Sequence, residues 1–156
     1  MRRRGQIIVV VAAVIRQGPW VLITQRPDGS GHAGRWEFPG GKRDPGEGDI
    51  EALRRELREE LGIEVVAPRM IWQEAAGRLR LRFYECSYPP GQRPRALVSP
   101  QFRWVRCEDL PSYAFPPADE RLVTALATAR VGRPGHRALR KRRGRRVRSP
   151  SQTGRF

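Results

Sequence analysis

One segment, Gly41–Ile63, constrains the architecture more than any other. It reads GKRDPGEGDIEALRRELREELGI. An α-helix advances about 100° per residue, which gathers Ile50, Leu53, Leu57 and Leu61 into one apolar stripe. A single stripe has to be buried against another layer, so this helix predicts a layered domain. Asp49 is placed to cap its start and Gly62 to end it. Glu56 and Glu60 lie about 40° apart on the flank of the stripe, with Glu59 beside them. Like charges this close repel and weaken a helix modestly. One reading is a solvated face balanced by Arg54, Arg55 and Arg58. The other is a cation site. The carboxylates sit at the core edge, the turn Pro39-Gly40-Gly41 lets backbone approach closely, and Glu47 lies in the loop just before the helix. These features favour the cation. Oxygen-only ligands suit Mg²⁺ or Mn²⁺, and Mg²⁺ commonly shares its shell with substrate phosphates.

The flanking sequence supplies the other layers. Ile7–Ile15 is β-branched and apolar, as a central strand requires. Gln17-Gly18-Pro19 turns the chain into a second strand, Trp20–Thr24. Arg26–Arg35 is a Gly, Pro and Asp loop, and Trp36–Phe38 is a short extended piece. Ile63–Glu74 reads as extended and broken near Pro68. Leu79–Ser87 alternates as a half-buried strand does, Tyr88–Pro94 is turn-rich, and Gln101–Arg106 is a further strand. Glu108–Leu110 starts a short turn, and Pro117–Arg130 reads as a second helix. The fold class expected is α+β, an α/β/α sandwich with a mixed sheet flanked by helices.

The 156 residues suffice for one domain, expected over 1–130. Residues 131–156 hold ten of the 31 Lys and Arg and no acid, which leaves 21 basic against 16 acidic residues in the body. This tail, with RALRKRRGRRVR at 137–148, is expected to be disordered. It suits a weak, non-specific contact with nucleic acid, or serves only for solubility. No aromatic residue is interleaved before Phe156, which argues against reading bases by stacking. Cys86 and Cys107 form neither a metal motif nor a disulfide framework, so they read as free thiols in a reducing cytoplasm. Arg2–Arg4 followed by an apolar run imitates a secretory signal. The run leads straight into a hairpin pattern without a cleavage site, so it reads as a strand. No apolar run reaches the roughly 20 residues that span a bilayer.

Gly41, five residues, Glu47, seven residues and then Arg55-Glu56-Leu57-Arg58-Glu59-Glu60-Leu61-Gly62-Ile63 resembles the complete signature of the Nudix hydrolases. The resemblance implies hydrolysis of a nucleoside diphosphate linked to another group, with Mg²⁺ or Mn²⁺. It implies Glu56, Glu59 and Glu60 as metal ligands and Arg55 as the residue that orients a glutamate by an ion pair. Glu47 is then an auxiliary ligand or support, while Gly40 and Gly41 shape the loop and lend backbone ligation. Arg35–Lys42 (RWEFPGGK), Ile23–Arg26 (ITQR) and Phe115–Glu120 (FPPADE) are similar to the MutT branch of that family. That similarity implies Arg26 as a nucleotide contact, Lys42 as a phosphate partner or a solvated lysine, and Asp119 as a reader of the base edge or a helix cap. Phe38 stacks near the base or packs in the core.

One position departs from the branch. Its members often carry a glutamate about six residues before the late-strand tryptophan, here Trp104, and Arg95–Arg103 contains no acid. The matching place is near Val98. This leaves the general base open among Glu47, Glu59 and Glu74. The expected activity is Mg²⁺-dependent conversion of nucleoside triphosphates, oxidised purines such as 8-oxo-dGTP first and cytidine triphosphates second, to monophosphate and pyrophosphate. RNA 5′ ends are another Nudix substrate to consider, and a nucleotide-binding module without activity is the non-enzymatic alternative. Monomer and homodimer both stay open.

Overall fold

The structure, a computed structural model, describes residues 5–128. The tail from 131 onward, with its expected disorder, lies outside the described residues. Among the described residues, seven strands and two helices follow in the order β1 (Ile8–Gln17), β2 (Trp20–Gln25), β3 (Trp36–Glu37), β4 (Gly40–Lys42), α1 (Asp49–Leu61), β5 (Val66–Ala76), β6 (Leu79–Ser87), β7 (Phe102–Arg106) and α2 (Glu120–Ala127). Short 3-10 turns occupy Cys107–Ser112 and Pro117–Asp119.

The sheet is mixed. β1 runs parallel to β6 from Ile8↔Leu79 to Arg16↔Ser87, and β5 extends the sheet antiparallel to β6. On its other side β1 meets β2 only at the hairpin, Arg16↔Val21 and Gln17↔Trp20, and then pairs with β4. β2 is flanked by β3 and β7. Because side chains alternate along a strand, β1 serves two cores. Val9, Val11, Ala13 and Ile15 join Leu53, Leu57 and Leu61 of α1. Ala12 and Val14 join Phe38, Phe83, Leu122 and Leu126 on the α2 side. The expected sandwich is therefore observed. No helix among the described residues is long and apolar enough to cross a membrane.

Several boundaries differ from the sequence reading, each for a physical reason. Gly48, not Asp49, occupies the N-cap of α1, and its N–H is held by Glu51 Oε2 at 3.2 Å. Asp49 is drawn elsewhere: its carboxylate accepts from Arg43 (2.6 Å), Arg82 (2.9 Å) and Tyr84 (2.6 Å). Gly62 ends the helix as expected, at φ 65°. Pro68 does not break β5. The strand bulges between Val66 and Arg69, with Ala67 at φ 50°, and Pro68 is tolerated because β5 is an edge strand. The second helix is shorter than Pro117–Arg130: a 3-10 turn precedes α2, which begins at Glu120. The Gly40–Lys42 segment is a strand rather than a turn.

Segment 88–101 acts as a strap over the end of α1. Arg95 N–H donates to Leu61 O (2.9 Å) and Leu97 N–H to Glu60 O (3.0 Å), satisfying carbonyls a helix end leaves open. The Gln92 side chain holds both backbone groups of Glu64.

Candidate active site

The site starts where β4 crosses β1. At Gly40 a Cβ would stand 2.0 Å from Val11 O, so only glycine permits this crossing. At Gly41 a Cβ would stand 2.4 Å from the Glu56 carboxyl carbon. Two glycines thus clear the space in which the carboxylates of α1 reach the strand backbone. Gly40 N–H donates to Glu60 Oε2 at 3.3 Å.

Arg55 organises the outer part. Its guanidinium grips Glu47 with two bonds, Nε to Oε1 at 2.7 Å and Nη2 to Oε2 at 3.0 Å. Nη1 reaches Glu56 Oε1 (3.0 Å) and Glu59 Oε2 (3.3 Å), and Nη2 also reaches Lys42 O (3.1 Å). The Arg55 bonds, helped by Asp44 N–H, hold Glu47 down to about 2. The Glu47 bonds raise Arg55 above its ordinary value. Burial raises Glu56 in spite of Arg55. Glu60 is pushed up to about 8, first by burial and then by the charges of Glu37 and Glu56. The expected three-carboxylate ledge is uneven. Glu60 turns inward, whereas the Glu59 side chain is 57% exposed, because it lies farther round the helix from the buried stripe.

Among the described residues no three acidic, His or Cys side chains converge as a ready chelate. Arg55 holds Glu47, Glu56 and Glu59 while Glu60 faces Gly40. The donor chemistry nonetheless fits a hard divalent cation. Every donor is oxygen, Glu60 is a buried carboxylate among like charges, and Gly40 and Gly41 leave the backbone unobstructed.

A cavity of about 640 Å³ opens from this place. Leu79, Leu81, Phe83 and Phe38 give it an apolar wall. Phe38 packs in the core, buried against Phe83 and Phe115, and it also lines the cavity. Arg26 reaches the cavity while bonded to Glu37 Oε2 (2.5 Å) and to Gly31 O. Lys42 lines it without an ion pair among the described residues. Asp119 stands at the N-cap position of α2 but makes no side-chain cap bond, so capping does not explain it. It is 6% exposed, and burial, with Glu37 next in weight, pushes its carboxyl up to about 7.

The proposed substitutes for the absent glutamate are not equivalent. Glu47 is locked by Arg55, and Glu74 accepts from Trp72 Nε1 (3.0 Å) near Arg121. Val98 sits on the cavity rim as an exposed apolar residue. Sequence reasoning passed over Glu37. Its neighbours Trp36 and Phe38 both enter the α2-side core, and strand alternation therefore sends Glu37 to the α1 side, towards Glu60. That alternation was present in the sequence.

The NUDIX domain family model matches residues 10–125. The chain belongs to the Nudix hydrolase family. It is 37% identical over 138 residues to the CTP pyrophosphohydrolase of Escherichia coli K12, covering 83% of this chain and 98% of that protein. It is 34% identical over 126 residues to the 8-oxo-dGTP diphosphatase of Haemophilus influenzae, covering 78% and 92%. A MutT structure from a study of Aliivibrio salmonicida and Vibrio cholerae superposes with a TM-score of 0.71 at 33% identity, over 80% of this chain and 99% of that one. The solution structure of the E. coli ORF135 protein gives 0.64 at 35% identity, over 83% and 94%. This Nudix chain is thus a hydrolase of MutT-like type, and Nudix hydrolases generally use divalent cations.

Proposed function

We propose that this Nudix hydrolase cleaves nucleoside triphosphates to monophosphate and pyrophosphate, with oxidised purines such as 8-oxo-dGTP preferred and cytidine triphosphates second. The observation that carries this reading is Asp119, a buried carboxyl that makes no side-chain cap bond, in the same cavity as Glu60 and the Gly40–Lys42 strand. With its carboxyl raised to about 7, Asp119 presents a donor beside an acceptor. The Hoogsteen edge of guanine offers two acceptors, N7 and O6. Oxidation at C8 places a hydrogen on N7, so the edge becomes donor beside acceptor and matches Asp119. The N3 and N4 positions of cytosine offer the same alternation. That fit agrees with the substrates named for the E. coli and H. influenzae relatives.

The phosphates then lie along Gly40–Lys42, with Lys42 as a cationic contact. Glu56, Glu59 and Glu60, with backbone from Gly40, would hold Mg²⁺ or Mn²⁺. Such an ion neutralises phosphate charge and makes bound water more acidic. Arg55 keeps Glu56 and Glu59 oriented, and Glu47 fixes Arg55 in turn. Burial raises the Glu60 carboxyl, so the cation would compete with a proton for it. In-line hydrolysis of a phosphoanhydride asks mainly for positioning and charge stabilisation, which this arrangement supplies.

The test is pyrophosphate release by purified protein on a nucleotide panel with and without divalent cation. Glu59→Gln is expected to lower kcat by two orders of magnitude or more with an unchanged melting curve. Retained turnover in that variant, or no pyrophosphate from any nucleotide, would overturn the reading.

A further inference from the structure

Burying a hydroxyl without a partner costs free energy, so a buried polar side chain that finds none within the protein marks a place for a ligand. Among the described residues the buried polar or charged side chains are Thr24, Ser99 and Asp119, and two of them, Ser99 and Asp119, line the cavity. Ser99 is 6% exposed, and its hydroxyl has no hydrogen-bond partner among the described residues. Ser30, another serine of the cavity lining, differs: its hydroxyl donates to Pro27 O at 2.6 Å. Ser99 is also held in place by the strap. Two residues before it, Leu97 N–H donates to Glu60 O of α1 at 3.0 Å. Two residues after it, Gln101 is tied to Gln25 at the end of β2. Gln25 N–H donates to Gln101 O (3.0 Å), and Gln101 Nε2 donates to Gln25 Oε1 (2.9 Å). Two residues of chain span at most about 7 Å, so these ties leave Ser99 little slack between α1 and β2.

We propose that the Ser99 hydroxyl is a substrate contact, bonded to the nucleoside part of the nucleotide rather than to its phosphates. The segment around it carries no charge: Leu97, Val98 and Pro100 are apolar. The cavity wall of Phe38, Leu79, Leu81 and Phe83 is apolar as well. A polyphosphate stripped of water needs cations, and this segment offers none. A base or a sugar is neutral and can lie against apolar walls while sharing one bond with a hydroxyl. A hydroxyl rotates to donate or accept as its partner requires, so the contact serves an oxidised purine and a cytosine nucleotide alike. Ser99 therefore adds affinity without choosing between bases. The inference rests on the nucleotide reading above.

The experiment measures binding of 8-oxo-dGMP and dCMP to the full chain by titration calorimetry in EDTA, so that neither cation nor turnover contributes. Ser99→Ala is expected to weaken both by about threefold to tenfold, the loss of one neutral hydrogen bond. Its affinity for inorganic tripolyphosphate, which has no nucleoside, should not change. The melting temperature of the free variant should not fall, because the substitution removes an unpaired buried hydroxyl and no bond within the protein. A merely structural role for Ser99 predicts the reverse: a lower melting temperature and unchanged nucleotide affinity. No binding of either monophosphate by the wild type, equal nucleotide affinity in wild type and Ser99→Ala, or an equal loss of tripolyphosphate affinity would overturn the proposal. Wild-type pyrophosphate release from nucleotides tests the underlying reading separately. Its absence removes that reading, whereas release together with unchanged affinity in Ser99→Ala removes only this contact.

Discussion

The proposed base preference turns on one residue, Asp119. Its carboxyl is neutral below about 7 and acts as donor and acceptor; above it, the ionised group only accepts. Affinity for 8-oxo-dGMP, measured in EDTA so that no cation contributes, is expected to fall as pH rises through 7. Asp119→Asn keeps a donor and an acceptor at every pH, so it should flatten that profile; an equally steep profile in the variant would assign the pH effect to another group. The same raised value affects folding. The unfolded carboxyl titrates near 3.8, so the contribution of Asp119 to stability is full below that pH and is lost as pH rises through about 7. Urea midpoints of wild type and Asp119→Asn should converge at low pH and separate at high pH, with the variant the more stable.

At the scale of elements, the start of α1 is fixed by one carboxylate. Asp49 lies at the first helical position, and its side chain joins Arg43 at the exit of β4 to Arg82 and Tyr84 on β6. Burial opposes its ionisation, but the bonds from Tyr84, Arg82 and Arg43 outweigh burial and lower its pKa. Burial, joined by the bond to Asp49, pushes Tyr84 up to about 12, against the opposing pull of Arg82 and Arg43. Removing the carboxylate leaves two guanidinium groups and a phenol without their shared acceptor. Asp49→Ala is expected to cost about 2–4 kcal/mol in urea unfolding, an amount typical of breaking a part-buried charged network. Asp49→Asn should fall between the two. A loss below about 0.5 kcal/mol would mean that the helix start is held by its apolar stripe alone.

For the molecule as a whole, charge is divided between a body and a tail. Residues 131–156 supply ten of the 31 cationic side chains and no acid. Deleting them is expected to leave nucleotide turnover within about twofold while abolishing low-salt retention on DNA, which would fall steeply with added salt in the intact chain. Retention that survives the deletion would place the contact on the body. The layers were legible in the sequence because period-2 and period-3.6 apolar patterns mark which faces must be buried, and the Ile7–Ile15 and Ile50–Leu61 patterns are strong. Glu56 and Glu59 beside Arg55 were legible because helix geometry sets spacings at i, i+1 and i+4, whereas Glu47 reaches Arg55 from the loop before the helix. What the sequence concealed depends on distant segments meeting. Asp49 resembles a cap until Arg82 and Tyr84, more than thirty residues on, compete for it. Glu37 lies in the extended piece Trp36–Phe38, but its ion pair with Arg26 forms only because β3 folds back on β2. The strap joins these scales. Its backbone is tied to the last carbonyls of α1, while Val98 and Ser99 a few residues on face the cavity. The mouth of this enzyme can therefore be rewritten by drift in a surface loop, while the carboxylates proposed to hold the cation keep their anchorage and their register.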